Sequence, residues 1–166
     1  MASNLKNLSV FDSPVPSAKG MSFGIVVAEW NSQITIPLLE GAVKLLKEQG
    51  CEEGDIIIKK VPGTYELTLA SQFMCEYTDV DAVIALGCVI QGETRHFDFI
   101  CQGVTHGINH VALEYNTPIA FGVLTVDNLE QAKDRAGGKL GNKGEEAAAT
   151  AIKMAVIKNE MEESEQ

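Results

Sequence analysis

Ala85-Leu-Gly-Cys-Val-Ile-Gln-Gly-Glu-Thr-Arg-His96-Phe-Asp-Phe-Ile100 joins an apolar run to a glycine-punctuated turn and then to a helical pattern that opens on a histidine. The run that enters it, from Val80 to Leu86, reads as a strand buried on both faces. Strand, loop and helix N-terminus therefore meet beside a titratable ring. The first N–H groups of a helix lack intrahelical partners, and with the helix dipole they attract anions and disfavour a cation. One short segment thus offers an anion cradle and a neutral base. An ordinary strand-to-helix turn with His96 as a cap accounts for the same residues.

The pattern repeats in both directions from this stretch. Phe23 to Ala28 is a continuous apolar run, again a doubly buried strand. A helix follows it, with Pro37 in the first turn, Ile36, Leu39, Val43 and Leu46 on one face, and Gly50 at its end. Asp55 to Val61 reads as a second strand broken by Pro62-Gly63, and Leu67 to Tyr77 as a short helix. Beyond His96 the residues Phe97, Ile100, Cys101, Val104, Ile108, Val111, Ala112 and Tyr115 line one side of a long helix that Pro118 stops. Ile119 to Leu124 gives a fourth strand. Asn128 and Gln131 have capping-box spacing and open a helix to Ala136. A glycine-rich link, Gly137 to Gly144, leads to an alanine-rich helix through about Glu160.

Strands that alternate with helices imply right-handed crossovers, a parallel sheet and helices on both faces. Ligands bind such sheets beyond the carboxyl ends of the strands. Trp30-Asn31, Gly63 to Glu66, Gly92 to His96 and Thr125 all fall there. Residues 1–20, with Pro14 and Pro16, read as an N-terminal arm that stays mobile or lies on a partner surface. Residues 21–160 form a single domain, and 161–166 an acidic tail.

Composition narrows the function. A net charge of −10 argues against nucleic acid, whose phosphates reward clustered Lys and Arg. No apolar run approaches the ~20 residues of a membrane span, and the N-terminus lacks a signal-peptide core, so a cytoplasmic protein is expected. Cys51, Cys75, Cys88 and Cys101 form no metal-binding spacing and read as reduced, structural thiols, although Cys88 abuts the loop and is conceivable as a nucleophile. His106, His110 and Glu114 have helical ligand spacing but no further ligand at the loop, so no metal is expected. An anionic substrate would need local cations, which singles out Arg95, Arg135, Lys139 and Lys143.

Several residues admit two readings. Trp30 is a core plug or a stacking platform for a flat heterocycle. Glu66 is a first-turn helix carboxylate or an acceptor for polyol hydroxyls. Arg135 complements the dipole at a helix C-terminus or supplies a local cation for an anionic substrate. Gly92 permits close backbone approach, but the loop lacks the Lys-Ser/Thr ending of a nucleoside-triphosphate loop.

Gly24-Ile-Val-Val-Ala-Glu-Trp-Asn31, Val61-Pro-Gly-Thr-Tyr-Glu66, Gly87 to Phe97, Phe121-Gly-Val-Leu-Thr125, Gln131-Ala-Lys-Asp-Arg135-Ala-Gly and Gly141-Asn-Lys-Gly144 occur in this order. Together they closely resemble the 6,7-dimethyl-8-ribityllumazine synthases of riboflavin biosynthesis, from about Ser22 to Ile157. The resemblance implies a three-layer α/β/α sandwich, flavodoxin-like, with a central four-stranded parallel sheet plus an N-terminal arm strand. It implies condensation of 5-amino-6-(D-ribitylamino)uracil with 3,4-dihydroxy-2-butanone 4-phosphate, without a cofactor. By the same resemblance His96 is the proton shuttle, Trp30 and Asn31 meet the pyrimidine, and Thr64, Tyr65 and Glu66 hold the ribityl chain. Val89 and Ile90 pair with the heterocycle edge, Gly92, Glu93 and Thr94 bind phosphate, and Arg135 clamps it from a neighbouring subunit. Phe121 and Lys143 line the pyrimidine site across that boundary. Gln91 stands where a basic residue is common, and Arg95 moves a cation next to His96.

The resemblance further implies a homo-oligomer, a pentamer that the short Gly137–Gly144 link favours assembling into an icosahedral shell, with riboflavin synthase as a candidate enclosed partner. Gly103, His106, Gly107 and His110 are expected to form a stripe at a symmetric subunit contact. Two rivals remain on the sequence alone. One is an archaeal-type riboflavin synthase, which Glu66 and the phosphate-binding set oppose. The other is a non-catalytic flavin-binding or shell protein.

Overall fold

A computed structural model describes Asn7 and residues 9–164. Its centre is a four-stranded parallel sheet in the order β2-β1-β3-β4, built from β1 (Phe23–Ala28), β2 (Ile56–Val61), β3 (Ala82–Ile90) and β4 (Ile119–Val126). β1 and β3 lie inside the sheet and are the most apolar strands, buried almost throughout. β2 lies at an edge and carries the exposed Lys59 and Lys60, charges that protect an edge from foreign strands.

One face is covered by α1 (Ser32–Glu48), α4 (Leu129–Arg135) and α5 (Lys143–Glu163). The other is covered by α2 (Leu67–Tyr77) and α3 (His96–Glu114). Side chains alternate accordingly: Ile25, Val27, Ile84 and Leu86 enter the first layer, Val26, Val83 and Ala85 the second. α5 meets the sheet and α1 through Ala147, Ala148, Ala151, Ile152 and Ala155, all buried. Small residues let this helix lie close, and a larger side chain at such a position typically costs about 1–3 kcal/mol.

Several boundaries differ from expectation. α1 buries Ile34, Leu38, Ala42, Leu45 and Leu46, whereas Ile36 is exposed and Leu39 and Val43 are half-buried. Pro37 lies inside the helix rather than in its first turn. α1 packs against both the sheet and α5, so its apolar residues span more than one stripe and periodicity alone selects the wrong one. A 3-10 turn, Glu53–Asp55, precedes β2. β3 and β4 run on to Ile90 and Val126 because each continues to pair with the other, through Ile90 opposite Val126. The Gly137–Gly144 link contains an antiparallel hairpin, β5 (Ala136–Gly138) with β6 (Gly141–Asn142), and α5 extends to Glu163, three residues past the expected end.

The two glycines of the α3 stripe have neighbours within the chain. Gly103 faces Tyr65 and Gly107 faces Thr68, and a Cβ at 107 would fall onto the Thr68 hydroxyl. These glycines bring α3 against its own chain, while His106 and His110 stay exposed. The arm likewise packs on its own domain: Ala18 is buried, Phe11 and Val15 touch the core, and the Ala18 N–H donates to the Gln49 carbonyl at 2.8 Å. Residues 1–6 and 8 of the arm, and 165–166 of the tail, lie outside the described residues. Among the described residues no helix is long and apolar enough to cross a membrane.

Candidate active site

The carboxyl ends of β1, β2 and β3 bring together most of the expected residues. Trp30 and Asn31 follow β1, Thr64, Tyr65 and Glu66 follow β2, and Val89 and Ile90 end β3, with Gly92, Glu93 and Thr94 leading to His96 at the start of α3. Backbone bonds extend the ladder past the strands: Glu29 N–H donates to the Val61 carbonyl at 2.8 Å and Trp30 N–H to the Pro62 carbonyl at 3.0 Å.

The Cys88 carbonyl is the common anchor. Asn31 Nδ2 donates to it at 2.9 Å and Thr64 Oγ1 at 3.5 Å, so one acceptor on β3 fixes the loops of both other strands. Asn31 caps α1 in the left-handed region, with φ 60°, a conformation that asparagine accepts better than most residues. Neither role was read from the sequence, although Asn directly before a helical pattern is a capping signal. The Cys88 side chain points into the first layer's core, and burial pushes its thiol up to about 11. Since the thiolate is the nucleophile, Cys88 is structural and its carbonyl, not its sulfur, serves the site.

Trp30 is 68% exposed, which excludes a core plug within this chain. Its ring lies over Gly63, where a Cβ would come within 2.5 Å of the indole. The indole is therefore seated on bare backbone with its remaining surface free. Glu66 is exposed, and its Oε2 accepts from the Gly63 N–H at 3.1 Å, which leaves Oε1 without a hydrogen bond among the described residues. Gly92 to His96 are exposed, and a long 3.4 Å bond runs from His96 N–H to Thr94 Oγ1 at the helix entry. Arg95 is also exposed, with Nε 3.8 Å from Asp98 in the next turn, a surface pair of the kind that contributes little.

Phe121, Arg135 and Lys143 are not part of this cluster. Phe121 is the third residue of β4, opposite Ala85, well before the carboxyl end of that edge strand. Arg135 and Lys143 flank the hairpin, whose Ala136 pairs with Asn142. Arg135 Nη1 donates to the Gln131 carbonyl at 2.9 Å, and Lys143 Nζ lies 3.1 Å from Glu146 Oε2. Among the described residues, no hydrogen bond or ion pair joins these three to the loops of Trp30, Glu66 and His96. Glu146, missed from the sequence, was signalled by its i,i+3 spacing from Lys143 at a helix start. Among the described residues no cluster of His, Cys, Asp and Glu has a metal-binding arrangement.

Comparison with known proteins identifies the family. A family model described as 6,7-dimethyl-8-ribityllumazine synthase matches residues 20–159. A protein of that name from Cytophaga hutchinsonii is 59% identical over 93% of this chain and 97% of its own length. Those from Parabacteroides distasonis and Phocaeicola vulgatus are 52% and 49% identical, over 93% and 99% of this chain and 97% and 99% of their own lengths. A match of this extent, spanning all four strands and both sets of site residues, makes the chain a member of the 6,7-dimethyl-8-ribityllumazine synthase family.

Proposed function

We propose that the chain condenses 5-amino-6-(D-ribitylamino)uracil with 3,4-dihydroxy-2-butanone 4-phosphate, at sites that two neighbouring copies complete together. The pyrimidine amine attacks the ketone and loses water to form an imine. Phosphate then leaves, and ring closure with loss of a second water gives 6,7-dimethyl-8-ribityllumazine. Trp30 stacks on the pyrimidine and Asn31 holds the loop beneath it. Glu66, with the backbone at Thr64 and Tyr65, accepts from the ribityl hydroxyls. Val89 and Ile90 offer backbone groups to the heterocycle edge. The N–H groups at Gly92, Glu93 and Thr94 face the phosphate, where the α3 dipole favours the leaving anion. His96 moves protons between the amine and the departing groups. From the neighbouring copy come Arg135 on the phosphate, and Phe121 and Lys143 on the pyrimidine.

The observation that carries this reading is the gathering of Trp30, Glu66 and His96 at adjacent strand ends while Arg135 and Lys143 are held apart. Much of the acceleration then comes from orienting two reactive partners. A pentamer, assembled into an icosahedral shell, belongs to the same proposal, as do riboflavin synthase as an enclosed partner and a cytoplasmic location. Support for assembly comes from α2, where Leu69, Phe73 and Tyr77 follow Tyr65 at intervals of four and are all exposed, an apolar ridge left uncovered among the described residues. The test is lumazine absorbance, with release of phosphate, on mixing both substrates with purified protein. Lumazine formation without phosphate release, or no turnover, would overturn the reading. Phe73→Asp should reduce the particle to smaller species in sedimentation and abolish turnover with it.

A further inference from the structure

Ser9 lies in the arm, yet it is bonded to the turn that carries Lys143. The Asn142 N–H donates to Ser9 Oγ at 2.8 Å. The Ser9 hydroxyl, with its one proton, lies 3.3 Å from both the Asn142 carbonyl and Glu146 Oε1. Glu146 is mostly buried, its side chain 14% exposed, and its other oxygen, Oε2, holds the Lys143 ammonium at 3.1 Å. One carboxylate thus bridges the arm to the lysine. Ser9 is in turn fixed by its own N–H, which donates to Asn7 Oδ1 at 2.9 Å. Gly141 makes room for this contact: its φ is +87°, and a Cβ there would fall onto Asn7 Oδ1 and Ser9 Oγ.

A lysine on a flexible stem loses rotamer freedom when it binds, and a carboxylate that already orients it removes part of that loss. A carboxylate in the first turn of a helix does this only if it is itself held. We propose that Ser9 is a positioning residue: through Glu146 it sets the Lys143 ammonium for the ribityl-pyrimidine bound by the neighbouring copy. The inference rests on the shared site proposed above.

In the full-length assembled enzyme, Ser9→Ala should raise KM for the ribityl-pyrimidine about three- to tenfold, the worth of one neutral hydrogen bond. KM for the phosphorylated substrate and kcat should stay unchanged, and Ser9→Thr, which keeps a hydroxyl, should restore affinity. In a Lys143→Ala background the same change should add nothing, because its route to the substrate is gone. If Ser9→Ala does not assemble, Glu146→Gln replaces it and should raise the same KM, again only while Lys143 is present. An unchanged KM in the tested variant, beside a raised KM for Lys143→Ala, ends the inference and leaves the shared site standing. Lys143→Ala without effect on that KM ends the shared placement and the inference together. A loss that persists in the Lys143→Ala background makes Ser9 merely structural and also ends it.

Discussion

The loops after β1, β2 and β3 and the hairpin between α4 and α5 hold their polar side chains in opposite ways. In the loops, backbone and carbonyl anchors are well made, through the Pro62 and Cys88 carbonyls, but the working side chains of Trp30, Glu66 and His96 remain exposed. On either side of the hairpin the cations themselves are tied down, Arg135 to the Gln131 carbonyl and Lys143 to Glu146. The loops fix their backbone and leave these side chains open to solvent. On the proposed shared site, the flanks of the hairpin hold their cations ready for another copy. On that proposal the contrast separates proton transfer by His96 from the cations that a second copy supplies.

The sharpest way to break that separation is His96→Ala. It should lower kcat roughly 10²–10⁴-fold while leaving ribityl-pyrimidine affinity nearly intact, as steady-state kinetics with both substrates would reveal. Unchanged kcat would reduce His96 to a helix cap.

Beneath the loops, Cys88 should limit stability in alkali. Its thiol is raised from 9.0 to about 11, so its contribution is complete below the unfolded value and is lost as pH rises through the folded one. Between those pH values the unfolded chain ionises first, and stability should fall by about 2–3 kcal/mol more in the wild type than in Cys88→Ala. Denaturant unfolding across that range measures it, and parallel curves for the two proteins would contradict the assignment.

Arg135→Ala should weaken the phosphorylated substrate by roughly 1.5–3 kcal/mol, about ten- to hundredfold, and leave the pyrimidine nearly untouched. Inorganic phosphate should compete with that substrate in the wild type and much less in the variant. Co-assembly of His96→Ala and Arg135→Ala chains sharpens the point. If each site takes its histidine and arginine from different copies, a random equal mixture should recover about a quarter of wild-type activity. No recovery would return both residues to one chain.

Trp30 gives the smallest effect and the most direct signal. Trp30→Phe should remain active, whereas Trp30→Ala should lose roughly 0.5–1.5 kcal/mol of affinity together with the lost burial. As the only tryptophan it should be quenched by riboflavin or a ribityl-pyrimidine analogue. Saturation without quenching would show that the ring does not stack.

The sequence conveyed the strands and the α2 and α3 helices because their signals were local. Phe23–Ala28 is a continuous apolar run, Leu67–Tyr77 is bounded by a turn and a polar stretch, and His96 follows a glycine-containing loop. α1 was misread because its inward face depends on α5, far along the chain. The packing of Gly103 and Gly107 was hidden for the same reason, since only the folded chain reveals Tyr65 and Thr68 opposite. Within the site, side-chain types were legible but anchors were not. A backbone carbonyl such as that of Cys88 leaves no mark in a sequence, and Glu146 was visible only as a spacing.

The seating of Trp30 on Gly63 links the fates of two positions more than thirty residues apart. No β-carbon fits beneath the indole as it lies, so Gly63→Ala displaces the ring. A slimmer residue at 30 would lift that restriction and open 63 to substitution. Positions 30 and 63 are thus expected to change in concert, in the laboratory or in descent, with the order of steps constrained: the aromatic must shrink before the glycine can grow.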